Sequence, residues 1–580
     1  MQAPPDEAGF RHERDGRRLL VVDPRMKRTP IVTDRHRPLP LNPADPPSDL
    51  DGASLPSRRS VVVAAAWAVP VVSIALATPA HAASPNSRLS LSFRDDEPRR
   101  LGSDLSDGTA SVVSQNGTPV PNETVTFTVT GPASFPGGST TFTTVTNAAG
   151  LAVAAGLVAS SLRGGVVSLT ATVSGVAPVQ DTVTIVQSGL FAVPVTAGDR
   201  QPPASRQIPD ATGDVADVSS ATVFLIGEPG RAGSTVITTS GEVWVSSSAG
   251  GAPSWTLVDT GADPTVAGDT AFGYTGTWVY SFYVKQGQLW WRGGADTRPN
   301  RLFASATGSF VQLSASNGHY SGATTTLALT AITSTGEVWE MASFNQGQRD
   351  RRVDTGASAS VRPATTIGGP GGTSQHRYVK DGQLLVVSNT ADSASSPERE
   401  LEAAGAPIVQ IDAANSYHPE LAGQLAATAV TSTGALWASA STLDNEAPWE
   451  FQDEGVDVSV RPATAIGGNA TGSVHYYSKR GQLWRAWSYG DGFDPVTRKA
   501  TEATGRVAAI AAASAYRDGE DPQIAYSMLT STGEVWGHSY IATENDGAWL
   551  LGTGAEANVA PATTIGGSHD GSTHLFARIL

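Results

Sequence analysis

Three histidines recur at a fixed interval in the second half of the chain and are the first residues to weigh for chemistry. His376, His475 and His574 follow one another at intervals of 99 residues. A metal site needs several ligands within about 2.0–2.2 Å of one ion. Residues on separate repeats could converge in that way only at a common centre. The interval therefore favours a repeated structural position, and we predict no metal site and no cofactor.

A group of acidic residues, Asp210, Asp214 and Asp217, resembles an oxygen-rich calcium loop. Calcium takes six or more oxygen ligands. The Ala-Thr-Gly turn inside this segment recurs at residues 306–308 and 503–505, where the acids are absent. The pattern favours a repeated turn over a calcium site.

Motifs of common catalytic sites do not occur in the sequence. There is no Gly-x-Ser-x-Gly elbow, His-Glu-x-x-His pair, phosphate loop or dinucleotide fingerprint. The chain has no cysteine, which excludes a thiolate nucleophile or thiolate metal site. We therefore predict that the protein is not an enzyme and has no catalytic residues. An extracellular hydrolase with a site built from loops is kept as an alternative.

The tryptophans divide into two groups. One group follows the repeated glycine turns described below and is predicted to lie in the core. The other group consists of candidate ligand-stacking residues: Trp255, Trp449, Trp549, Trp291 and Trp487. The apolar face of a sugar can stack on a flat aromatic ring. Packing between repeats is the alternative, because tryptophan is mostly buried in proteins.

Charge limits the class of partner. The net charge is −15, and residues 1–82 contain 11 basic and 9 acidic residues, so the rest of the chain carries the whole excess of acid. An acidic surface repels nucleic acid. We predict a protein or glycan ligand and no nucleic acid.

Residues 57–82 are predicted to be a signal peptide. A basic pair is followed by an apolar run and then by two small residues separated by one position, which is the pattern of a cleavage site. Arg58 and Arg59 resemble the pair of a twin-arginine signal, and cleavage is expected after Ala82. The export route, twin-arginine or general, stays open. A retained anchor is the alternative, but the apolar run is short for about 30 Å of hydrocarbon. We predict secretion, with cell-surface association as a further option, and no stable membrane insertion after cleavage.

The polar, Pro- and Arg-rich residues 1–56 are predicted to be a disordered extension. Met26 is an alternative start of the protein. Residues 86–190 instead show short alternating strands bounded by turn residues, which predicts a β-sandwich. Its segments at 119–129, 146–152 and 165–173 resemble a bacterial Ig-like domain of the invasin and intimin type. The resemblance implies a spacer or adhesive module.

A glycine turn, followed in six of seven copies by tryptophan, recurs in the second half of the chain at spacings of 46 to 52 residues. The glycines are Gly241, Gly287, Gly336, Gly382, Gly434, Gly481 and Gly533. Each unit contains four short strand candidates, and such units build a β-propeller. The chain is therefore predicted to be all-β, with an Ig-like sandwich followed by a propeller at 200–580.

The true repeat is a pair of units. Val361-Arg-Pro-Ala-Thr-Thr-Ile-Gly-Gly matches Val460-Arg-Pro-Ala-Thr-Ala-Ile-Gly-Gly and Val559-Ala-Pro-Ala-Thr-Thr-Ile-Gly-Gly. The Thr-Ser-Thr-Gly-Glu-Val-Trp units resemble RCC1-like repeats, and the Gly-Gln-Leu-Trp units resemble sugar-binding tachylectin and tectonin propellers. We predict seven or eight blades, and favour eight with one composite blade that Leu190 to Thr196 would help to build.

These features predict a secreted or surface-associated binding and adhesion protein, with the propeller as the recognition platform. A lectin with repeated sites is the alternative. Residues that differ between the near-identical double units and gather on one surface would indicate a specific binding surface.

Overall fold

Short β-strands connected by turns make up most of the chain that the computed structural model describes. The described residues are 87–93, 98–196, 204–223, 230–249, 254–273, 276–293, 298–318, 326–344, 347–368, 373–389, 393, 395–416, 424–441, 448–466, 472–489, 492–515, 523–541, 548–566 and 571–580. The predicted extension at 1–56 and the signal peptide at 57–82, with Arg58, Arg59 and Ala82, lie outside them. None of the helices in the described ranges has the length and apolar character to span a membrane.

The first module is a sandwich of two sheets. Its strands are β1 (Ser87–Ser92), β2 (Arg99–Arg100), β3 (Thr109–Ser114), β4 (Thr124–Thr130), β5 (Ala133–Ser134), β6 (Thr141–Val145), β7 (Leu151–Val153), β8 (Val158–Ala159), β9 (Gly165–Thr172) and β10 (Val179–Val186), with a 3-10 turn at Pro136–Gly138. One sheet has the order β1-β3-β7 and the other β2-β10-β9-β4-β6. Alternate side chains of β4 are buried, as its Thr-Val-Thr-Phe-Thr-Val pattern requires.

The remaining strands form a second module of four-stranded sheets. In chain order they are β11 (Ser188–Thr196), β12 (Ser205–Arg206), β13 (Val215–Val223), β14 (Arg231–Thr238), β15 (Val243–Ala249), β16 (Ser254–Asp259), β17 (Asp269–Gly273), β18 (Trp278–Lys285), β19 (Gln288–Gly293), β20 (Asn300–Arg301), β21 (Phe310–Gly318), β22 (Thr326–Thr333), β23 (Val338–Phe344), β24 (Gly347–Asp354), β25 (Ala364–Gly368), β26 (Thr373–Lys380), β27 (Gln383–Asn389), β28 (Glu398–Arg399), β29 (Ile408–Ser416), β30 (Gln424–Thr431), β31 (Leu436–Ser441), β32 (Glu450–Asp453), β33 (Ala463–Ile466), β34 (Ser473–Lys479), β35 (Gln482–Tyr489), β36 (Gly492–Arg498), β37 (Val507–Ala515), β38 (Gln523–Thr530), β39 (Val535–Ile541), β40 (Trp549–Gly552), β41 (Ala562–Ile565) and β42 (Gly571–Ile579).

Seven sheets each use four consecutive strands, from β13–β16 (sheet 1) to β37–β40 (sheet 7). An eighth sheet has the order β12-β11-β42-β41 and so joins the start of the module to its end. The first strands of sheets 1 to 7 and β41 contact one another in sequence, and β41 contacts β13 again. This closed ring of radial antiparallel sheets is a β-propeller. The predictions of an all-β chain and of a propeller are confirmed.

The closing sheet shows where the ring begins. Strand β11 pairs with β42 along its whole length, from Ser188 opposite Ile579 to Thr196 opposite Gly571. The ring of sheets therefore starts at Ser188, before the boundary expected at residue 200. The predicted sandwich boundary at residue 190 likewise falls inside β11. Closing the ring with strands from both ends leaves no long free edge at this point.

The repeated glycine turn connects the second and third strands of each sheet. Gly336 has a φ of 82°, and a Cβ at this position would lie 2.8 Å from the carbonyl oxygen of Ala357. Both facts require glycine here. The next two side chains point to opposite sides of the sheet. Val338 belongs to a buried cluster shared with sheet 4, whereas Trp339 belongs to a cluster shared with sheet 2.

An Asp-Tyr-Lys latch joins each of three odd sheets to the even sheet that follows. Asp453 ends the outer strand of sheet 5 and accepts hydrogen bonds from Tyr477 Oη at 2.7 Å and Lys479 Nζ at 2.6 Å. The same bonds join Asp259 to Tyr283 and Lys285, and Asp354 to Tyr378 and Lys380. Burial raises the pKa of each of these aspartates, but the bonds from lysine and tyrosine outweigh burial and lower the pKa overall.

The latch is replaced at the fourth equivalent junction, between sheets 7 and 8. Gly552, Phe576 and Arg578 stand where the other junctions have aspartate, tyrosine and lysine. Phe576 stacks on Phe191 of β11, with ring centroids 6.3 Å apart, and the Arg578 guanidinium lies 5.4 Å from the Phe191 ring. The closing junction is thus held by aromatic contacts with the first strand of the module.

The three regularly spaced histidines are buried at these same odd-to-even junctions. His475 lies between Thr428 Oγ1, 2.6 Å from Nδ1, and Ser473 Oγ, 2.8 Å from Nε2. His376 and His574 make equivalent contacts with hydroxyl groups. Both ring nitrogens of each histidine are accounted for within the protein, as a repeated structural position requires.

We predict that Asp453→Asn destabilises the protein by about 1–3 kcal/mol at pH 7, because the latch loses its charge-assisted bonds. The folded-state pKa of Asp453 is lowered, so its contribution is present above the unfolded pKa of about 3.9 and is lost as the pH falls further. Urea unfolding should show the full difference at pH 7 and a smaller difference at pH 3, which lies within the range in which the contribution is lost. The matched control Glu454→Gln, at an exposed neighbour, should change stability by less than about 0.5 kcal/mol. Equal stabilities of the Asp453→Asn variant and the parent at pH 7 would refute the latch.

The buried histidines predict a loss of stability below neutral pH. Burial lowers the pKa of His475 to about 3, of His574 to about 3 and of His376 to about 4. Between these values and the unfolded pKa of about 6.5, the unfolded chain binds more protons, so each histidine removes about 1.4 kcal/mol per pH unit as the pH falls. In His475→Gln, the slope of unfolding free energy against pH between 6 and 4.5 should be smaller by that amount. An unchanged slope would show that His475 is protonated in the folded protein.

Candidate functional site

A channel runs through the centre of the ring and is lined by the innermost strands of the sheets. Its volume is about 630 Å³. The lining is made of small and polar side chains together with five charged ones: Asp217, Asp269, Arg362, Asp412 and Arg461. A concave site with converging polar groups is the usual form of a ligand site in proteins.

Arg362 and Arg461 occupy equivalent places in sheets 4 and 6, whereas the three aspartates stand at different strand positions. The innermost strands of sheets 1, 3, 5 and 7 each contain one bulge, just before Asp217, Gln312, Gln410 and Ala509 respectively. Two residues after these come Ser219, Ser314, Asp412 and Ala511. The five charged residues therefore lie toward the end of the channel where the innermost strands begin. The four double units differ from one another at this end.

The first ion pair of the channel spans two sheets. Arg362, just before β25, donates from Nη2 to Asp269 Oδ2 at 2.9 Å and from Nε to the carbonyl of Leu313 at 2.8 Å. Asp269 Oδ2 also accepts the backbone N–H of Ala315 at 2.8 Å. The pair therefore ties sheet 4 to sheet 2 across the inner strand of sheet 3. Both side chains remain partly exposed to the channel.

A second ion pair joins two adjacent sheets, 5 and 6. Arg461 donates from Nη2 to Asp412 Oδ1 at 2.9 Å and from Nε to the carbonyl of Ile411 at 3.1 Å. The other oxygen of Asp412 accepts the backbone N–H of Thr464 at 2.7 Å. Burial raises the pKa of Asp412, and the nearby Arg461 guanidinium opposes the rise. The two guanidinium groups hold defined orientations because each has a carboxylate and a carbonyl partner.

Asp217 is bonded differently from the other two aspartates. Its Oδ2 accepts the backbone N–H of Gly268 at 2.8 Å, and no guanidinium donates to it in the described part of the chain. Burial raises its pKa to about 6, a shift that Arg362 and the Gly268 bond reduce. A carboxyl group with such a pKa changes its charge near neutral pH. This change would alter the charge beside the Arg362–Asp269 pair, both members of which influence Asp217.

The other end of the channel carries uncharged hydrogen-bonding groups. Asn317 Nδ2 donates to the carbonyl of Thr222 at 3.1 Å, and Asn415 Nδ2 donates to the carbonyl of Asn317 at 2.8 Å. Thr222 Oγ1 accepts the backbone N–H of Ile565 at 3.0 Å across the junction of sheets 1 and 8. These bonds connect innermost strands that do not pair as a ladder.

One side of the charged end is apolar. Sheet 7 presents Ala509, Ala511 and Ala513, and sheet 8 presents Ala560 where sheets 4 and 6 have Arg362 and Arg461. We call these four alanines the alanine wall. The channel end therefore combines fixed donors and acceptors on sheets 1 to 6 with a smooth apolar surface opposite them.

This arrangement suits a ligand that has both hydroxyl groups and an apolar face. Carboxylate oxygens accept hydrogen bonds from hydroxyls, and the guanidinium N–H groups donate to them. The asymmetry of the lining would orient such a ligand in one way. Among the described residues no group of three or more His, Cys, Asp or Glu side chains is arranged to hold a metal ion.

The predicted stacking tryptophans are placed unequally. Trp487 is 4% exposed and belongs to the core between sheets 6 and 7, so its prediction as a stacking residue is wrong. Trp291 is half-buried and stacks on Tyr280 at 5.1 Å, and Trp255 and Trp449 pack on buried clusters. Trp549 is 36% exposed and stacks one face on His538 at 4.4 Å. Of these five, Trp549 best offers an open surface, and it lies far from the channel on an outermost strand.

The acidic segment that resembles a calcium loop is a structural turn. Glu242 Oε1 accepts from Thr212 Oγ1 at 2.7 Å, and its Oε2 accepts Thr212 N and Trp244 Nε1. Asp214 Oδ1 accepts the backbone N–H of Ser188 at 2.5 Å. Glu337 and Glu534 hold the Thr-Gly turns of sheets 3 and 7 in the same way. Glu242 therefore holds the turn, and Asp214 holds the first residue of β11 beside it.

The sequence carries a signal for two of the channel residues. Arg362 and Arg461 stand in a nine-residue motif whose third copy has Ala560 instead. A difference at one position in an otherwise repeated motif is what a binding surface would produce. The aspartates gave no such signal, because neither their strand position nor their partners can be read from the spacing.

No protein family and no curated protein matches the sequence. Among solved structures, the chain is similar to the BP39L lectin from Burkholderia pseudomallei, with 16% identity over 57% of this chain and 96% of that chain and a TM-score of 0.42. It is also similar to AofleA from Arthrobotrys oligospora, with 10% identity over 54% and 89% and a TM-score of 0.35. The fucose-specific lectin from Aleuria aurantia shows 12% identity over 58% and 96%, with a TM-score of 0.34.

Proposed function

We propose that this protein is a secreted carbohydrate-binding protein and that its ligand enters the charged end of the central channel. The observation that carries the proposal is the position of the differences between the double units. The units keep the glycine turn and, at three of four junctions, the latch. They diverge where Asp217, Asp412, Arg362 and Arg461 meet the alanine wall. A lining that differs among otherwise repeated units favours a specific ligand.

The chemistry of the lining supports a sugar. Neighbouring hydroxyls of a pyranose donate and accept hydrogen bonds at fixed spacing, which matches the alternating carboxylates and guanidinium groups. The alanine wall offers a small apolar surface to the C–H face of the ring. Arg362 and Arg461 are held by their aspartates, so little side-chain entropy would be lost on binding.

The finer assignments of the fold belong to the same proposal. We propose that the sandwich is a bacterial Ig-like domain and that the ring is an eight-bladed propeller of RCC1-like repeats. The two-sheet sandwich of short strands supports the first, and the composite sheet supports the second. Secretion rests on residues 57–82. Mass spectrometry of protein collected outside the cells should find an N-terminus at Ala83.

We predict that the mature protein binds a glycan on an array and that Arg461→Lys weakens the binding by about tenfold to hundredfold. Lysine keeps the charge but loses the planar fork that bonds Asp412 and a ligand together. Isothermal titration with the selected glycan would measure the change. Thermal unfolding would establish that the variant is folded.

Two matched variants locate the site. Arg399→Ala removes an exposed arginine from an outermost strand, and Trp549→Ala removes the exposed aromatic surface. Both should leave glycan affinity unchanged. If Trp549→Ala abolishes binding and Arg461→Lys does not, the lectin site lies on the outer strands. If no glycan binds and a protein ligand is captured by the same channel residues, the proposed ligand class is wrong.

Hydrolysis is a second candidate function, favoured by one observation. Asp217 and Asp269 lie close enough for the charge of one to influence the other, and burial raises the pKa of Asp217 to about 6 while Asp269 is paired with Arg362. A protonated and an ionised carboxyl group are the pair that acid–base hydrolysis of a glycoside uses. Incubation of the bound glycan with the protein would release new reducing ends only if this second function holds. Asp217→Asn should then stop the release.

A further inference from the structure

The sandwich and the ring are joined by one residue. Strand β10 of the sandwich ends at Val186, and β11 of the closing sheet begins at Ser188. Gln187 between them is only 9% exposed. A flexible spacer would need several exposed residues at this point. The connection is therefore part of the packed structure.

Gln187 binds both modules with its own polar groups. Its side-chain Nε2 donates to the carbonyls of Ala211 at 3.0 Å and Gly213 at 2.6 Å, in the turn that leads into sheet 1. Its Oε1 accepts the backbone N–H of Gly164 in the sandwich at 3.3 Å. Its backbone carbonyl accepts the N–H of Leu580 at 3.0 Å. One buried side chain thus connects the sandwich, sheet 1 and the last residue of the closing sheet.

Further contacts surround this residue. The carbonyl of Leu162 in the sandwich accepts the N–H of Gly213 at 2.7 Å. Arg100 of the sandwich pairs with Glu556, in the turn between sheets 7 and 8. Glu556 is followed directly by Ala557 and Asn558, which line the channel. The sandwich therefore contacts the ring on both sides of the closing sheet.

The closing sheet is the part of the ring that most needs support. Its strand pair joins residues 188–196 to residues 571–579, so the whole ring lies in the loop that this pair closes. Such a closure carries a large entropic cost, because the ends of a long chain must be held together. The bonds of Gln187 and Leu162 to residues 211–213 hold the start of β11 beside sheet 1, and the bond from Leu580 N–H to the Gln187 carbonyl holds the end of the closing sheet at the same place.

We propose that the sandwich is a clamp that keeps the ring closed, and that the two modules unfold as one cooperative unit. This goes beyond the role of a spacer that the resemblance to adhesins implies. It does not depend on what the channel binds, so it holds or fails separately from the proposed function.

The test uses the full mature chain and two measurements, calorimetry and hydrogen exchange followed by mass spectrometry. Gln187→Ala should speed the exchange of amides in β42 (Gly571–Ile579) by about tenfold, since it removes buried bonds that hold β11 in place. The single unfolding transition should move to a lower temperature. The matched control Gln180→Ala, on the exposed face of β10, should leave exchange in β42 unchanged.

Exchanging the charges of the Arg100–Glu556 pair is an independent test that leaves the buried contacts of Gln187 intact. Arg100→Glu and Glu556→Arg should each speed exchange in β42, and the double variant should restore it, because the pair is then re-formed with opposite polarity. Two separate calorimetric transitions in the parent, or unchanged exchange in β42 for both Gln187→Ala and Arg100→Glu, would overturn the clamp.

Discussion

The innermost strand of each sheet pairs with one neighbouring strand only. Its edge toward the channel therefore has no ladder partner in the described structure. Unpaired backbone groups at such an edge must be satisfied or exposed to water. Side chains of the neighbouring sheet supply the bonds: Asp217 accepts from Gly268, Asp269 from Ala315 and Asp412 from Thr464. The channel lining therefore closes the ring and displays the groups offered to a ligand at the same time. A substitution there that removes an acceptor will alter stability as well as affinity, and this is why the change from arginine to lysine is more informative than removal of an aspartate.

The junctions between sheets are of two kinds, and they alternate. From an even to an odd sheet, large clusters rich in aromatic and aliphatic side chains fill the space, as around Phe303 and Trp339. From an odd to an even sheet the apolar clusters are smaller, and the latch or its aromatic replacement and the buried histidine or serine hydroxyls complete the junction. The physical repeat is therefore a pair of sheets with a polar junction inside it and an apolar junction between it and the next. This explains why the sequence repeats more faithfully at about 98 residues than at half that distance.

Much of this architecture could be predicted from the sequence, because it follows from local rules. A glycine at positive φ, apolar residues on both faces of the third strand and a constant period are enough to indicate a propeller. The sequence indicates only one part of the latch, because Lys285, Lys380 and Lys479 recur at equivalent positions. Their aspartate partners lie 26 residues earlier on another sheet, and no local pattern connects the two. The channel site could not be predicted from the sequence for the same reason. Its five charged residues are spread over more than 240 positions, and the closure of the ring alone brings them together.

The junction of sheets 7 and 8 departs from the other three in several ways, and the departures have a common cause. Its second sheet is built from both ends of the chain, so its contacts must form with a strand that arrives from far away in sequence. Aromatic contacts join Phe191 to Phe576 and Arg578. Such contacts depend less on exact geometry than the two hydrogen bonds of a latch aspartate do. The cost of removing an aspartate from water is offset only when all of its hydrogen-bond partners are in place. The alanine wall lies on the same two sheets, with Ala511 where sheet 5 has Asp412 and Ala560 where sheets 4 and 6 have arginine. Ala267 of sheet 2 stands at the same place as Ala560, so the two arginines belong to sheets 4 and 6 alone. The apolar side of the proposed binding site thus lies beside the closure of the ring, and its charged side is built by sheets 1 to 6.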